Sequence, residues 1–414
     1  MRSSIRFCWA AVVSGLMAVV TVGARAADLD TADAVFFEGR FADADEIYRE
    51  LLAERPGDPI LLRKRGSVAL WGNRLGEAVV LLGDALEAGP QDMDTVLLLA
   101  ETHARRLSYP TAAPLFRQAG RHVRGVQLES FGEREPYAVE GSFRQISVPF
   151  DRTDPLPVIQ MQVNGKEPRY FLIDTGGSDL LLDTEFAEEV GADVFGSESG
   201  TFAGGKQADV KMGRVDTVSL GGVTLRNLPV DLLPTKRFSA AAGGLQIDGI
   251  VGTVFLSQFR FTLDYPKGRL VLRPRGSGPA EGDTQVPFWM AGDHFMVTWV
   301  GVNDSEPMLL LIDTGLAGGG YVAAESAVEE IGIEVDGQSF EGVGGAGKVT
   351  VTPFVVDRLS IGDAVVKDVT GFLGVFPPGL ESQFGFRIAG IVSHQFFRSF
   401  AVTFDFDRMV LTLQ

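Results

Sequence analysis

The chain has 414 residues, with 37 Lys and Arg against 54 Asp and Glu and a formal net charge of −17; a surface of that sign repels phosphate backbones, which excludes nucleic acid as a partner. Apolar content of 45% with 29 Phe excludes a disordered chain, and 50 Gly, well above the roughly 7% of average usage, points to tight turns and much β structure. One cysteine, Cys8, and four scattered histidines without an HExxH pattern exclude a disulfide framework, thiol catalysis and a zinc site, so no metal or other cofactor is expected.

Residues 1–26 read as a secretory signal. Arg2 and Arg6 precede an apolar core from Phe7 to Val20, and Ala24-Arg25-Ala26 supplies a small-x-small cleavage site. Its removal leaves 34 basic against 54 acidic residues and implies a periplasmic or secreted protein. The alternative is an uncleaved anchor over Phe7 to Ala24, at the short limit for crossing a bilayer, and only then is the membrane a partner.

Residues 27–125 carry a period of 34. Gly39-Arg40-Phe41 returns as Asn73-Arg74-Leu75; Ala44, Ala78 and Ala112 keep the step, as do Tyr48, Leu82 and Phe116; Pro56 and Pro90 close two units. This pattern resembles tetratricopeptide (TPR) repeats, which implies paired helices and a surface that recruits a protein partner or substrate and performs no chemistry itself. Residues 126–146 are read as a linker.

From 147 onward, alternating apolar runs and Gly-rich turns predict an all-β body, and that body is duplicated. Val148-Pro149-Phe150 returns as Val286-Pro287-Phe288, Phe171-Leu172-Ile173-Asp174-Thr175-Gly176 as Leu310-Leu311-Ile312-Asp313-Thr314-Gly315, Gly249-Ile250-Val251 as Gly390-Ile391-Val392, and Phe261-Thr262-Leu263-Asp264 as Val402-Thr403-Phe404-Asp405. The offset drifts only from 138 to 141. The halves are 147–275 and 286–414, joined by a flexible linker over 276–285, read from the run Pro-Arg-Gly-Ser-Gly-Pro-Ala-Glu-Gly-Asp at 274–283.

A lone Asp-Thr-Gly arises by accident in roughly one chain in ten of this length. Two copies, each after three large apolar residues in one duplicated frame, are another matter. The apolar triplet is a buried strand and the Gly permits a sharp turn, so each Asp is delivered at a strand end. If the halves pack about a pseudo-twofold axis, Asp174 and Asp313 meet on it. Two adjacent carboxyls share one proton, so one member can take a proton from water while the other donates to a carbonyl oxygen.

Residues 147–414 thus resemble the aspartic proteases, in the form with two retropepsin-like halves fused in one chain. The resemblance implies a bilobal all-β fold behind the all-α helical region. It makes Asp174 and Asp313 the catalytic dyad, Thr175 and Thr314 the residues that cross-bond the two loops, and Gly176 and Gly315 donors to the carboxylates. Gly204, Gly205, Gly344 and Gly345 fall in flaps over a peptide or protein substrate. Gly342 to Lys348 approaches a phosphate-binding loop, but Val349 and a strand follow where Ser or Thr and a helix are needed.

Three departures from the family pattern stand out: Gly177 and Leu316 replace a hydroxyl residue after the motif, Ser393 stands where a bracing segment ends in Gly in the first half (Gly252), and Leu316 to Gly320 form an unusual second loop. Loss of hydroxyl donors predicts raised dyad pKa values and a less acid optimum. Asp179 is read as a loop residue, with contact to substrate backbone as the alternative; the histidines are read as structural or surface residues. The sequence therefore predicts an aspartic endopeptidase with helices for recruitment. The alternative is a non-catalytic peptide- or protein-binding scaffold that keeps a degraded protease fold.

Overall fold

The computed structural model describes residues 28–335 and 337–414; the predicted signal, residues 1–26, lies outside the described residues. Among the described residues, none of the helices is long and apolar enough to cross a membrane.

The chain opens with seven helices: α1 (Leu29–Phe37), α2 (Phe41–Glu54), α3 (Pro59–Trp71), α4 (Leu75–Ala88), α5 (Met93–Arg105), α6 (Tyr109–Gln118) and α7 (His122–Glu129). Local chemistry sets several starts. The Asp28, Asp58 and Asp92 carboxylates accept from the free N–H groups of α1, α3 and α5, and Pro59 fits the first turn of α3. The starts of α2, α4 and α6 fall 34 residues apart, and Ala44, Ala78 and Ala112 are fully buried where successive helices touch. Residues 126–146 are packed, not free: they hold the end of α7, buried Phe131 and Tyr137, and the strand Ala138–Val139, which pairs with Val223–Leu232.

The first β half is an eight-stranded sheet in the order Ala138–Val139, Val223–Leu232, Leu180–Leu182, Ile247–Val251, Arg169–Ile173, Val158–Val163, Lys206–Leu220, Asp193–Phe202, and it closes on itself where Lys206–Leu220 also pairs with Val223–Leu232. The second half repeats that order with Ala364–Leu373, Tyr321–Ala323, Gly390–Ser393, Met308–Asp313, Phe295–Val302 and the long hairpin Phe340–Gly344/Gly347–Ile361. In each half the strand that ends at the Asp is central and pairs in parallel with a later apolar strand (Ile247–Val251 or Gly390–Ser393). A strand covered on both faces reads as an unbroken apolar run, which is why Phe171-Leu172-Ile173 and Leu310-Leu311-Ile312 do. Six further strands join the halves. At their centre Phe261 stacks on Phe404 with ring centroids 4.5 Å apart, each from the equivalent strand of its half.

The helical region is seated on this body. Phe41 and Trp71 pack edge-on with Trp289 and Phe386. Arg105 donates to the carbonyls of Leu70 (2.9 Å), Met290 (2.6 Å) and Gly292, and Asn73 donates to that of Phe406 (2.7 Å). At the far end, Gln127 of α7 donates to the carbonyls of Gly213 and Val230.

Candidate active site

The two Asp-Thr-Gly loops meet at the junction of the halves. The Thr175 N–H donates to Thr314 Oγ1 at 3.1 Å and the Thr314 N–H to Thr175 Oγ1 at 3.0 Å. Each hydroxyl then donates across the junction, Thr175 to the Ile312 carbonyl and Thr314 to the Ile173 carbonyl. Both threonines are fully buried, so every polar atom of this lock is desolvated and paired, the condition under which such networks rigidify a site. Gly176 and Gly315 donate to Asp174 Oδ1 (2.8 Å) and Asp313 Oδ1 (2.7 Å). Both positions require glycine: a Cβ on Gly176 would lie 2.6–2.9 Å from the Asp313 carboxyl, and one on Gly315 would collide with that of Asp174.

The carboxyls lie side by side at the junction, each against the glycine of the opposite loop, and their titrations are linked. Burial pushes Asp174 up, against the influence of Asp313 and the N–H groups of Gly176 and Gly177, which favour its ionised form. Asp313 is pushed further, first by burial and then by the charge on Asp174, with only the Gly315 N–H opposing. The environment therefore favours charge on Asp174 and the proton on Asp313.

The glycines at 204, 205, 344 and 345 sit at two hairpin tips. The hairpins are Asp193–Phe202 with Lys206–Leu220, and Phe340–Gly344 with Gly347–Ile361. The tips touch: Gly345 packs on the Phe202 ring, Gly344 on Ala203, and Lys206 Nζ donates to the Lys348 carbonyl. Gly204 N–H donates to the Val375 carbonyl at 2.9 Å and Gly205 lies against Pro378. Residues 342–348 thus turn a hairpin, and no helix N-terminus follows them.

Of the positions that depart from the family pattern, Ser393 has a local account. Ser393 is buried and its hydroxyl donates to the Asp313 carbonyl, so a side chain fits this brace. At the matching Gly252 a Cβ would strike the carbonyl oxygens of Ser178 and Asp179, so there it does not. Asp179 does not face outward. It is 3% exposed, paired with Arg124 of α7 at 2.8 Å and bonded by the Tyr137 hydroxyl at 3.1 Å, which leaves it a structural residue and not a contact for substrate backbone.

Two groups at the site escaped the reading of the sequence. Arg124 stands 55 positions before its partner, and no local spacing connects them. His294, in the turn between Thr284–Ala291 and Phe295–Val302, bonds Asp293 at 2.5 Å. Burial opposes its proton, but Asp293 and, more weakly, Asp174 raise its pKa overall, and its charge in turn lowers Asp174. The other three histidines are not among the groups that shift either carboxyl; His394 is buried under Tyr265, and burial pushes its pKa down to about 4.

A family model described as aspartyl protease matches residues 159–255 and 299–384, one stretch in each half. No curated protein matches the chain. Helices over 29–129, followed by two β halves of one strand order with an Asp-Thr-Gly loop in each, make this a helical region joined to a two-half aspartic-protease-like domain.

Proposed function

We propose that the protein is an aspartic endopeptidase, and the observation that carries the reading is the reciprocal threonine lock that sets the Asp174 carboxyl against Gly315 and the Asp313 carboxyl against Gly176. A water between the carboxyls gives up a proton to ionised Asp174 as its oxygen attacks the scissile carbonyl carbon. Protonated Asp313 donates to the carbonyl oxygen, giving a tetrahedral diol. Collapse of the diol breaks the C–N bond, with the proton on Asp174 passing to the leaving nitrogen and the diol returning one to Asp313. The dyad ends as it began, with no covalent intermediate. The touching hairpins act as flaps that part to admit an extended peptide and then exclude water.

The leader supports a periplasmic or secreted site of action. Recruitment of a partner or substrate by the helices is part of the same proposal and falls to the face of the helical region turned away from the body, where Ile60 and Val80 are exposed.

The test is cleavage of an unstructured protein by the chain lacking residues 1–26, beside Asp174→Asn and Asp313→Asn. Activity in the parent and a drop of at least about 10³-fold in each variant is expected. Equal silence from all three assigns the fold to a peptide-binding scaffold.

A further inference from the structure

We infer that Arg124 is a positioning residue for the first Asp-Thr-Gly loop, so that the helical region is a working part of the active site and not a detachable recruiting arm. This rests on the protease reading and adds to it a dependence of the dyad on α7.

The loop runs from Asp174 to Asp179, and both of its sides are fixed. On one side the Thr253 and Val254 N–H groups donate to the Gly177 and Ser178 carbonyls, and the Thr253 hydroxyl to that of Thr175. On the other side stands α7. Arg124, 13% exposed, pairs with Asp179 and donates to Gln127 Oε1, while Tyr137 holds the second carboxylate oxygen. Carboxylates as buried as Asp179 persist only when paired and hydrogen-bonded. Asp231, bonded by Ser178 of the same loop, is a second buried carboxyl, pushed up to about 7 by burial and then by Asp179. Arg124 is the ion-pair partner Asp179 has among the described residues.

The helix that carries Arg124 is itself anchored to the first half. The Val123 and Arg124 N–H groups donate to Glu198 at 3.0 and 3.1 Å, so a body carboxylate caps α7, and Gln127 reaches into the sheet. Removing the Arg124 charge leaves Asp179 a buried carboxylate without its ion-pair partner, at the end of the loop that carries Asp174 and with a second buried carboxyl, Asp231, bonded to Ser178 of that loop. The least costly relaxation is for that loop to move toward water. Displacements of about 1 Å at a reacting group can lower turnover by about 10²-fold.

The experiment compares the mature chain with Arg124→Gln, Arg124→Lys and Arg105→Gln. Arg105 serves as control because it ties the helices to the second half through backbone carbonyls and donates no hydrogen bond to the loop. Arg124→Gln is expected to lower kcat by about 10- to 100-fold with KM within about 3-fold, and Arg124→Lys to restore part of kcat. Arg105→Gln should lower the thermal midpoint and keep kcat. Hydrogen exchange gives a readout independent of turnover: amides of 174–182 should exchange faster in Arg124→Gln alone, with 313–320 unchanged. Unaltered exchange and kcat in Arg124→Gln, or equal losses in Arg105→Gln, overturn the inference. An inactive parent whose 174–182 amides still loosen in Arg124→Gln counts against the protease reading and leaves the positioning role standing.

Discussion

The first Asp-Thr-Gly loop is held from behind by a glycine brace and a buried ion pair, the second by a serine hydroxyl and a run of glycines. Both loops end a central strand, both carry the threonine lock, and both accept a glycine N–H on the carboxylate. Behind them the solutions diverge. Five residues after Asp174 comes Asp179, bound to Arg124; five after Asp313 comes Gly318, which has no side chain to bind anything. The second loop is stitched instead through its backbone, with Gly320 N–H to the Thr370 carbonyl and Ser393 N–H to that of Gly320, both 2.9 Å. A duplicated frame fixes where two loops meet, while the means of stiffening each one depends on what packs against it.

Exchanging the braces puts that comparison under the greatest strain. Gly252→Ser forces a Cβ against two backbone carbonyl oxygens that cannot retreat without moving Ser178 and Asp179. The expected cost is about 3 kcal/mol or more, together with most of the activity. Ser393→Gly removes one hydroxyl bond and adds backbone freedom, for about 1–2 kcal/mol. Urea unfolding of both variants measures the difference. Similar losses would mean that the two braces are interchangeable and that the asymmetry between the loops is superficial.

The fold was legible because two periods are written into the sequence, one of 34 in the helices and one near 140 in the body, and each reflects repeated packing of the same faces. The meeting of Asp174 with Asp313 followed from the second period and from the turn chemistry of Asp-Thr-Gly. Contacts between the periodic regions were not legible. Phe41 shows in the sequence only as a repeat position matched by Leu75, yet part of what covers it and Trp71 is Trp289 and Phe386 of the body. The segment 126–146 reads as a linker between the two periodic regions, whereas Phe131 buries it in the helical stack and Tyr137 in the first half. Ser393 looked like a defect because a hydroxyl's partner cannot be seen in one dimension. Asp179 and Arg124 failed for the same reason across a longer gap.

The difference between the loops also has an electrostatic side, which the pH profile reports. A dyad works while singly protonated, between its two apparent pKa values. Burial pushes both carboxyls up, and the charge on Asp174 pushes Asp313 further, so both limbs of a bell-shaped kcat/KM profile move to higher pH. The optimum is expected at higher pH than in a dyad whose first carboxyl is held below the ordinary carboxylate range. A sharp maximum near pH 2 would show that hydrogen bonds to the charged forms outweigh burial, contrary to this account.

The smallest expected effect separates the two carboxyls. His294 lowers Asp174 and is not among the groups acting on Asp313, so its charge acts on the member favoured to ionise first. In His294→Gln that support is lost, Asp174 holds its proton to higher pH, and the acid limb should rise by less than about one unit while the alkaline limb stays within error. The turn that carries His294 also carries Asp293, which remains in the variant and adds a negative charge no longer offset, so its effect on the acid limb has the same sign. Equal movement of both limbs would place the proton evenly on the two loops and remove the distinction between Asp174 and Asp313.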